Sequence, residues 1–374
     1  MPSGSRSALI ARDTFCIPRH LQRNAKPESK GRLNAALKHR PTRSKKRMVT
    51  LAQIQQAQQR IQGVAVRTPL IAYFPPVQNR ESGNGAQLSF KPENLQPISA
   101  FKIRGAYNKI ASLSDAERRR GVITYSSGNH AQGVGYAARM FGVKSVIVMP
   151  MNAPPLKVAS TAALGAEIVK VGAGSLDRMR RAEELAAQHG YVIVPPYNDE
   201  HIIAGQGTVG LEILEDCPEV DLVLVPTGGG GLISGVSAAL KLSGSTAKVV
   251  GVEPELANDA QQSFRKGEIV ELPAERVSST LADGLRTQSV GPINFEHIRS
   301  FVDDMITVSE EQIRSAMREM AMNAHLVAEP SGAVTFAAWL FHQTELPESR
   351  KIVAVVSGGN VDPQLLAEVL AEAA

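Results

Sequence analysis

Lys102 is the first residue whose type and position suggest chemistry. It follows a Pro-containing stretch and opens a segment in which Ile103, Ala106 and Ile110 recur at helical spacing. The first turn of a helix has unpaired backbone N–H groups and a positive dipole end, which disfavour the ammonium form of a lysine. A lysine that loses its proton readily can form a Schiff base with a carbonyl group. Most first-turn lysines are simply solvated, so the interpretation depends on the partners that the rest of the chain supplies.

The segment Ser126-Ser127-Gly128-Asn129-His130 follows an apolar strand pattern and begins a second helical pattern. Hydroxyl donors beside the N–H groups of a helix N-terminus suit a carboxylate. We therefore treat this segment as a candidate carboxylate site. The motif alone leaves an alternative open, in which one serine only caps the helix and His130 is structural.

Four consecutive glycines lie between an apolar strand pattern at residues 222–225 and the next helical pattern. Glycine costs conformational entropy, so such a run is expected where the backbone wraps closely around a ligand. Successive N–H groups at a helix N-terminus form an anion nest that suits a phosphate. No Lys-Ser/Thr pair follows the run, and a dinucleotide fingerprint fits it less well than a bare monophosphate. The candidate residues are Gly228, Gly229, Gly230, Gly231 and Leu232.

Two weaker motifs also follow predicted strands. Ser357 comes after the apolar run 352–356, and its hydroxyl could meet the edge of a flat heterocycle, although an ordinary tight turn has the same sequence. Glu253, Ala257 and Asp259 lie close together in the chain. Two carboxylates and a free carbonyl suit a hard cation with oxygen ligands, and a solvated acidic loop explains the spacing at least as well.

From Thr50, a predicted helix N-cap, the chain alternates helical and strand patterns. Buried, β-branched strands that alternate with helices predict parallel sheets, which bind ligands at the carboxyl ends of their strands. We predict an α/β fold of two open twisted parallel-sheet domains, with the smaller domain inserted in the larger. The predicted strands are 122–125, 145–149, 167–171, 191–194, 221–225, 248–252 and 351–356. The predicted helices include 129–140, 156–163, 175–188, 202–214, 232–242, 310–325 and 331–341.

Composition excludes several classes of protein. The chain has 374 residues and a net charge of +5, but its first 48 residues hold 13 Lys/Arg and only two acids. The remainder has 28 basic and 34 acidic residues, which argues against nucleic-acid binding. No apolar run approaches the roughly 18 residues of a membrane span. The two cysteines, Cys16 and Cys217, form neither a disulfide framework nor a metal-ligand pattern, so a cytoplasmic location is expected.

Residues 1–48 are predicted to form a disordered basic extension, because they lack periodicity and large apolar residues. They end on Met48, directly before the predicted helix start, which favours an upstream extension or a misplaced start codon. An Arg-rich, acid-poor segment is also typical of transit peptides. A basic arm that binds nucleic acid is the third interpretation.

A lysine, a phosphate site, a carboxylate site and a polar group for a ring atom together describe pyridoxal phosphate with an amino acid attached. The motifs at residues 100–106, 126–130, 228–231 and 357–360 resemble those of the fold type II pyridoxal-phosphate enzymes, which have a tryptophan synthase beta-like fold. Within this family the chain is similar to the threonine/serine dehydratase and serine racemase branch, from about residue 50 to the C-terminus. One departure is Ser99, because members commonly have a glycine there.

The resemblance implies how the cofactor is held. Lys102 would bind it covalently, and residues 228–232 would hold its phosphate. Asn129 would contact the ring hydroxyl, and Ser357 would contact the pyridine nitrogen. The implied substrate-binding residues are Ser126, Ser127, Asn129 and His130, and Ser127 would be a second catalytic residue beside Lys102.

The resemblance also implies a divalent cation, Mg²⁺ or Ca²⁺, at Glu253, Ala257 and Asp259. It implies domain boundaries as well. Residues 49–120 and 199–374 would form the two parts of the large domain, and residues 121–198 would form the small one.

The implied activity is that of a threonine/serine ammonia-lyase, which eliminates water from a β-hydroxy amino acid to give a 2-oxo acid and ammonia. Once substrate has displaced it, the Lys102 amine would be placed to take the Cα proton. The phosphate would act as the acid that helps the hydroxyl to leave. A neutral Ser357 cannot keep the ring nitrogen protonated, which favours prompt elimination.

Other activities remain open. Serine racemase and hydroxyaspartate dehydratase are alternatives within the family. A non-catalytic phosphate- or nucleotide-binding protein is the alternative from a different class. The expected partners are a small amino-acid substrate and further copies of this chain in a homo-oligomer, with neither nucleic acid nor membrane.

Overall fold

Two separate β-sheets organise the computed structural model, which describes residues 48–75, 86–153, 155–172 and 175–372. One sheet has six strands and the other has four. The predicted α/β fold, with a smaller parallel-sheet unit inserted in a larger one, is confirmed. The strands are β1 (Ile71–Ala72), β2 (Gln87–Pro92), β3 (Val122–Tyr125), β4 (Ser145–Pro150), β5 (Glu167–Val171), β6 (Val192–Ile193), β7 (Leu222–Pro226), β8 (Lys248–Pro254), β9 (Asp304–Val308) and β10 (Lys351–Val356).

The four-stranded sheet has the order β5-β4-β3-β6, and every pair in it is parallel. Its strands are consecutive in the chain and lie between β2 and β7 of the other sheet. β4 is buried along its whole length, which explains its continuous apolar run. The domain boundaries at residues 121 and 198 stay predictions.

The six-stranded sheet has the order β1-β2-β10-β7-β8-β9. Only the short edge strand β1 is antiparallel to its neighbour. The sequence patterns missed β1, β2 and β9. β2 contains Ser89, Lys91 and Pro92, which suggested a turn, but it pairs with β10 along its full length.

Helices cover both sheets and connect their strands. The first begins at Thr50, whose side chain caps it as predicted in a capping box with Gln53. The helices are α1 (Leu51–Ile61), α2 (Lys102–Ala111), α3 (Asp115–Arg120), α4 (Asn129–Met140), α5 (Pro155–Ala162), α6 (Ser175–His189), α7 (Glu200–Asp216), α8 (Gly231–Leu242), α9 (Asp259–Lys266), α10 (Ala274–Ser278), α11 (Pro292–Phe301), α12 (Glu310–Asn323), α13 (Pro330–Phe341) and α14 (Pro363–Ala371).

The turn before α2 explains why relatives commonly have glycine at the position of Ser99. Ser99 has φ 54°, in the left-handed region that favours glycine. Its backbone is held on both sides, since its N–H donates to the Gln96 oxygen at 2.7 Å and its oxygen accepts from the Gly359 N–H at 2.8 Å. The chain therefore keeps the turn and bears the strain of a side chain there.

The prediction for residues 1–48 lies outside the described residues, apart from Met48. Across the parts of the chain that the structure describes, no helix is both long enough and apolar enough to cross a membrane.

Candidate active site

The ends of two strands and the start of α2 meet at one edge of the six-stranded sheet. The Phe101 N–H donates to the Ser357 oxygen at 3.1 Å, and Ala100 forms a bridge with Gly358. Ser357 follows β10 directly, and Lys102 is the first residue of α2. The motif with the lysine and the motif with the serine, 255 positions apart in the printed sequence, are therefore neighbours.

Lys102 occupies the first-turn position that the sequence predicted. Its Nζ donates to the Pro196 oxygen at 2.8 Å. Burial lowers the pKa of Lys102 to about 8, while the charge of Glu329 opposes that shift. Desolvation by the surrounding protein is thus the main cause, where the sequence had suggested the helix dipole. Near neutral pH a useful fraction of Lys102 is the free amine that a Schiff base requires.

The glycine run forms a bare backbone turn at the start of α8. Gly230 is the N-cap, with φ 89°, and no side chain caps the helix. A Cβ on Gly229 would lie 2.3 Å from the Tyr197 ring, and one on Gly231 would lie 3.0 Å from the Tyr197 Cβ. A side chain at Gly229 would collide with the Tyr197 ring, and one at Gly230 would lie 2.9 Å from Asn294 and Val290. The N–H groups at the start of α8 therefore remain available to an anion, as the predicted phosphate site requires.

Neither serine of the carboxylate motif caps α4. The N-cap is Gly128, which receives no side-chain cap. Ser126 Oγ accepts a long hydrogen bond of 3.4 Å from the Gly128 N–H, and both Ser126 and Ser127 are partly exposed. The capping alternative is thus wrong, and the two hydroxyls stay available for a ligand.

His130 is buried directly behind this segment. Its Nε2 lies 3.0 Å from the Val194 oxygen, and its Nδ1 has no hydrogen-bond partner within the described residues. Burial, with the positive charge of Lys102, lowers the pKa of His130 to about 3. Because a carbonyl can only accept, we assign the proton to Nε2, which leaves Nδ1 as an acceptor. This tautomer offers a substrate carboxylate no N–H group, so Ser126 and Ser127 are the better donors.

Glu329 is a site residue that the sequence patterns missed. It is 2% exposed, and its Oε1 accepts from the Asn129 Nδ2 at 2.6 Å. The Asn129 Oδ1 in turn accepts from the Asn360 Nδ2 at 2.8 Å, so the amide is fixed at both ends. Burial, together with the charge of Asp283, raises the pKa of Glu329 to about 7. One signal was available, because Glu329 precedes Pro330 at a helix start where Ser, Thr or Asp is usual.

Ser357 is also buried, at 4% exposure. Its hydroxyl donates to the Ser331 oxygen at 3.2 Å. A hydroxyl can rotate between partners, so this group is able to meet a ring nitrogen at the end of β10. It brings no formal charge to that position.

The candidate cation residues lie at the end of β8 and the start of α9. Glu253 accepts from the Ala260 and Gln261 N–H groups at 3.2 and 2.6 Å. Burial and the nearby carboxylate of Asp259 raise the pKa of Glu253, and burial raises that of Asp259 to about 7. The Asp259 Oδ2 has no partner within the described residues. Those residues contain no cluster of three or more His, Cys, Asp or Glu that could hold a metal.

The residues at the cleft fit pyridoxal phosphate. The backbone turn at residues 228–231 has no room for a side chain, Lys102 is a buried amine of lowered pKa, and Ser357 is a buried neutral hydroxyl. The model of the "Pyridoxal-phosphate dependent enzyme" family matches residues 61–358. This chain belongs to that family.

Comparison with individual proteins narrows the class. The chain is 44% identical to L-threonine ammonia-lyase of Thermotoga maritima, over 86% of this chain and 78% of that protein. It is 44% identical to L-threo-3-hydroxyaspartate ammonia-lyase of Saccharomyces cerevisiae, over 76% of this chain and 86% of that protein. Among solved structures, maize serine racemase is similar, with a TM-score of 0.81 and 38% identity over 86% of this chain and 97% of that one.

Proposed function

We propose that this protein is a pyridoxal-phosphate-dependent ammonia-lyase, which eliminates water from L-threonine and L-serine to give a 2-oxo acid and ammonia. The observation that carries the proposal is Lys102, a buried amine whose pKa is lowered to about 8 and which lies beside Ser357. The similarity to the ammonia-lyases of Thermotoga and yeast supports it.

The cofactor, when bound to the nitrogen of an amino acid, withdraws electrons from Cα and makes its proton acidic. The protein must then supply a base at Cα, and the Lys102 amine is the group of suitable pKa. Ser126 and Ser127 supply hydroxyl donors for the substrate carboxylate at the start of α4. Asn129, held between Glu329 and Asn360, would orient the ring through its hydroxyl.

Ser357 sets the electronic character of the site. A neutral hydroxyl donates at most a hydrogen bond, whereas a carboxylate at this position would keep a ring nitrogen protonated. Weak withdrawal at the ring shortens the life of negative charge at Cα, so loss of the β-hydroxyl competes well with other fates. This reasoning favours elimination over transamination.

Replacing Lys102 tests the proposal directly. Lys102→Ala should abolish 2-oxo acid release from L-threonine and L-serine, and borohydride should no longer fix the cofactor to the protein. Lys109→Ala is the matched control, because Lys109 lies about two turns further along the same helix, where its Nζ pairs with Asp199 at 2.6 Å. Wild-type turnover in Lys102→Ala, or cofactor fixed to another residue, would refute the assignment.

Racemisation is the second candidate activity, and one observation favours it. Ser127 is partly exposed and does not cap α4, so its hydroxyl is free to act on the face of the substrate opposite Lys102. The similarity to maize serine racemase points the same way. Chiral chromatography of serine recovered from the reaction separates the two activities. Recovered serine that contains only the L-enantiomer, beside steady 2-oxo acid release, would leave only the lyase.

We also propose that the Glu253 and Asp259 site binds Mg²⁺ or Ca²⁺. The unpartnered Asp259 Oδ2 and the raised pKa of both carboxylates are the expected signs of a site that a cation would neutralise. A cation at a hundredfold excess over its Kd would add about 2.7 kcal/mol to the free energy of unfolding. Melting curves with either cation and with chelator measure this effect, and Asp259→Asn should remove it. Equal melting temperatures in wild type would reject the site.

Two further expectations concern the oligomeric state and the cellular location of the protein. We expect a homo-oligomer, which sedimentation velocity would test. We also place the enzyme in the cytoplasm, which imaging of a fusion to the full chain would test.

A further inference from the structure

Two basic and two acidic side chains are buried together behind the lysine-bearing helix. They are Lys91, Glu93, Arg104 and Glu212, and none is more than 4% exposed. We call this set the charge cluster. Its formal charges sum to zero. The proposed reaction uses none of these groups, so their burial needs another explanation.

Arg104 is the centre of the charge cluster. Its Nε and Nη2 donate to the two oxygens of Glu93 at 2.7 and 2.8 Å. Its Nη1 and Nη2 donate to the two oxygens of Glu212 at 2.6 and 2.8 Å. Thr208 Oγ1, at 3.0 Å from Nη1, and the Val66 oxygen, at 3.1 Å from Nη2, complete its contacts. The guanidinium therefore makes a bidentate pair with each of two carboxylates, which fixes its plane and position. We call this arrangement the fork.

The remaining members of the charge cluster are satisfied as well. The Lys91 Nζ donates to the Glu212 Oε2 at 2.6 Å and to the Thr68 oxygen at 2.5 Å. Glu93 also accepts from the Thr68 hydroxyl at 2.8 Å and from the Gln96 amide at 3.0 Å. Burial by itself raises the pKa of Glu93, but Arg104 and Lys91 hold it below its usual range. Glu93 is accordingly ionised, and its contact with Arg104 is an ion pair at neutral pH.

The charge cluster joins the elements that carry the catalytic groups. Lys91 is the next-to-last residue of β2 and lies opposite Val355 of β10, two positions before Ser357. Glu93 follows β2 in a short 3₁₀ turn, Arg104 lies in the first turn of α2, and Glu212 lies on α7. Arg104 on α2 therefore binds directly to the 3₁₀ turn through Glu93 and to α7 through Glu212, and Glu212 in turn binds Lys91 on β2.

The backbones of α2 and α7 are closely packed in the same region. A Cβ on Gly205 would lie 2.6 Å from the Gly105 Cα and 2.7 Å from the Arg104 oxygen. The two helix backbones are therefore in contact beside Arg104. Close packing limits their separation, and the fork at Arg104 limits sliding and rotation of α2, which packing alone would allow.

We propose that Arg104 is a positioning residue, which fixes the first turn of α2 so that the Lys102 amine is held at the substrate Cα. Lys102 is the first residue of α2 and Arg104 is the third, so any movement of Arg104 moves Lys102 with it. Because the charge cluster is neutral, it places the amine without setting its charge, and the pKa of Lys102 follows burial and Glu329 alone. The proposal rests on the proposed function only in that Lys102 acts on the substrate.

The test is Arg104→Lys, which keeps the charge balance but removes the fork. Within the described residues, no side-chain hydrogen bond of the charge cluster involves the candidate carboxylate-binding segment at residues 126–130 or the glycine turn at residues 228–231. We therefore expect a fall in kcat of roughly ten- to hundredfold for an amine displaced by about 1 Å, with little change in KM. The visible circular dichroism of the bound cofactor should weaken, because it depends on a fixed ring orientation.

Arg67→Lys is the matched control. Arg67 also pairs with α7, through Glu215 at 3.1 Å and Asp216 at 2.6 Å, but on the exposed side and away from α2. It should change none of these readouts. In the cofactor-free protein, the pH dependence of Lys102 labelling by an amine reagent should be the same in Arg104→Lys and wild type.

A milder variant tests the same positioning role if Arg104→Lys does not fold. Thr208→Val removes one hydrogen bond to Arg104 at nearly constant shape, and the same readouts should move in the same direction by several-fold. Met320→Ala, a buried change on α12, controls for stability loss alone and should leave kcat and the dichroism intact.

The outcomes distinguish a positioning role of Arg104 from an electrostatic role or a general effect on stability. A selective fall in kcat with weakened dichroism and unchanged labelling supports positioning. A kcat in Arg104→Lys or Thr208→Val no lower than in Met320→Ala overturns it, and so does a shift in the labelling profile, which would make the effect electrostatic. Failure of the proposed function is recognised independently, by an active Lys102→Ala.

Discussion

Glu329→Gln should make the stability of the protein less dependent on pH. The Glu329 carboxyl is 2% exposed, and burial, with the charge of Asp283, raises its pKa to about 7. Gln has nearly the same shape, and its carbonyl oxygen can still accept from the Asn129 amide, 2.6 Å away in the wild type. The substitution therefore removes the titration of this group and leaves its main contact in place.

The magnitude follows from proton linkage. A carboxyl in the unfolded chain titrates near pH 4.3, so between about pH 4 and 7 the folded state holds a proton that the unfolded state has released. Folding stability contributed by this group is complete below pH 4 and is lost as the pH rises through 7. A difference of about 2.7 pKa units, at 1.36 kcal/mol per unit, corresponds to about 3.7 kcal/mol lost by pH 8.

Urea unfolding of the cofactor-free protein at pH 5 and pH 8 measures this effect. Because part of the loss has already occurred at pH 5, the wild type should lose about 2.5 kcal/mol more than Glu329→Gln between the two pH values. Groups that do not interact with Glu329 affect both proteins equally, so the difference reports on Glu329 together with Lys102, whose pKa the Glu329 charge raises. Parallel curves for the two proteins would refute a raised pKa at this position. A wild type that gains stability relative to the variant at pH 8 would refute the sign.

Two further substitutions test the ligand-binding parts of the site. Ser127→Ala should abolish D-serine elimination and any racemisation while L-threonine elimination by Lys102 persists, and equal losses for both enantiomers would mean that Ser127 only binds. Gly229→Ala should weaken cofactor binding at least tenfold in a titration of the cofactor-free protein, because its Cβ would lie 2.3 Å from the Tyr197 ring. Adding Tyr197→Ala should recover part of that loss, and no recovery would show that the collision is not the cause.

Motifs that depend on local chemistry could be predicted from the sequence. A glycine run after an apolar strand, a lysine at a helix start and a capping threonine each require only neighbouring residues. The structure has Lys102 at the first position of α2 and Gly230 at the N-cap of α8. Parallel sheets then bring such motifs to one edge, which is why the fold class and the cleft could be inferred together.

The residues that were missed depend on distant partners. Glu329 acquires its role from Asn129, 200 positions away, and Arg104 acquires its role from Glu93 and Glu212. In the sequence each is an ordinary charged residue. Strand β2 was not predicted for a related reason. Its Lys91 is buried in a salt bridge with Glu212, which the periodicity of apolar residues does not reveal. Such groups are satisfied only by long-range contacts, so their burial becomes visible only in three dimensions.

The charges of the assembled site favour the elimination that we propose. Apart from Lys102, whose pKa of about 8 leaves most of it protonated, the protein contributes little fixed charge to the cleft near pH 7. His130 is neutral, since burial lowers its pKa to about 3, and Glu329 is about half protonated. Ser357 carries no charge. The strongest negative charges would then be those of the ligands, which we propose are held by the backbone N–H groups at Gly230 and at the start of α4. A cleft without a fixed acid at the ring or a fixed cation at the carboxylate offers negative charge at Cα little stabilisation, and expulsion of the neighbouring hydroxyl relieves it.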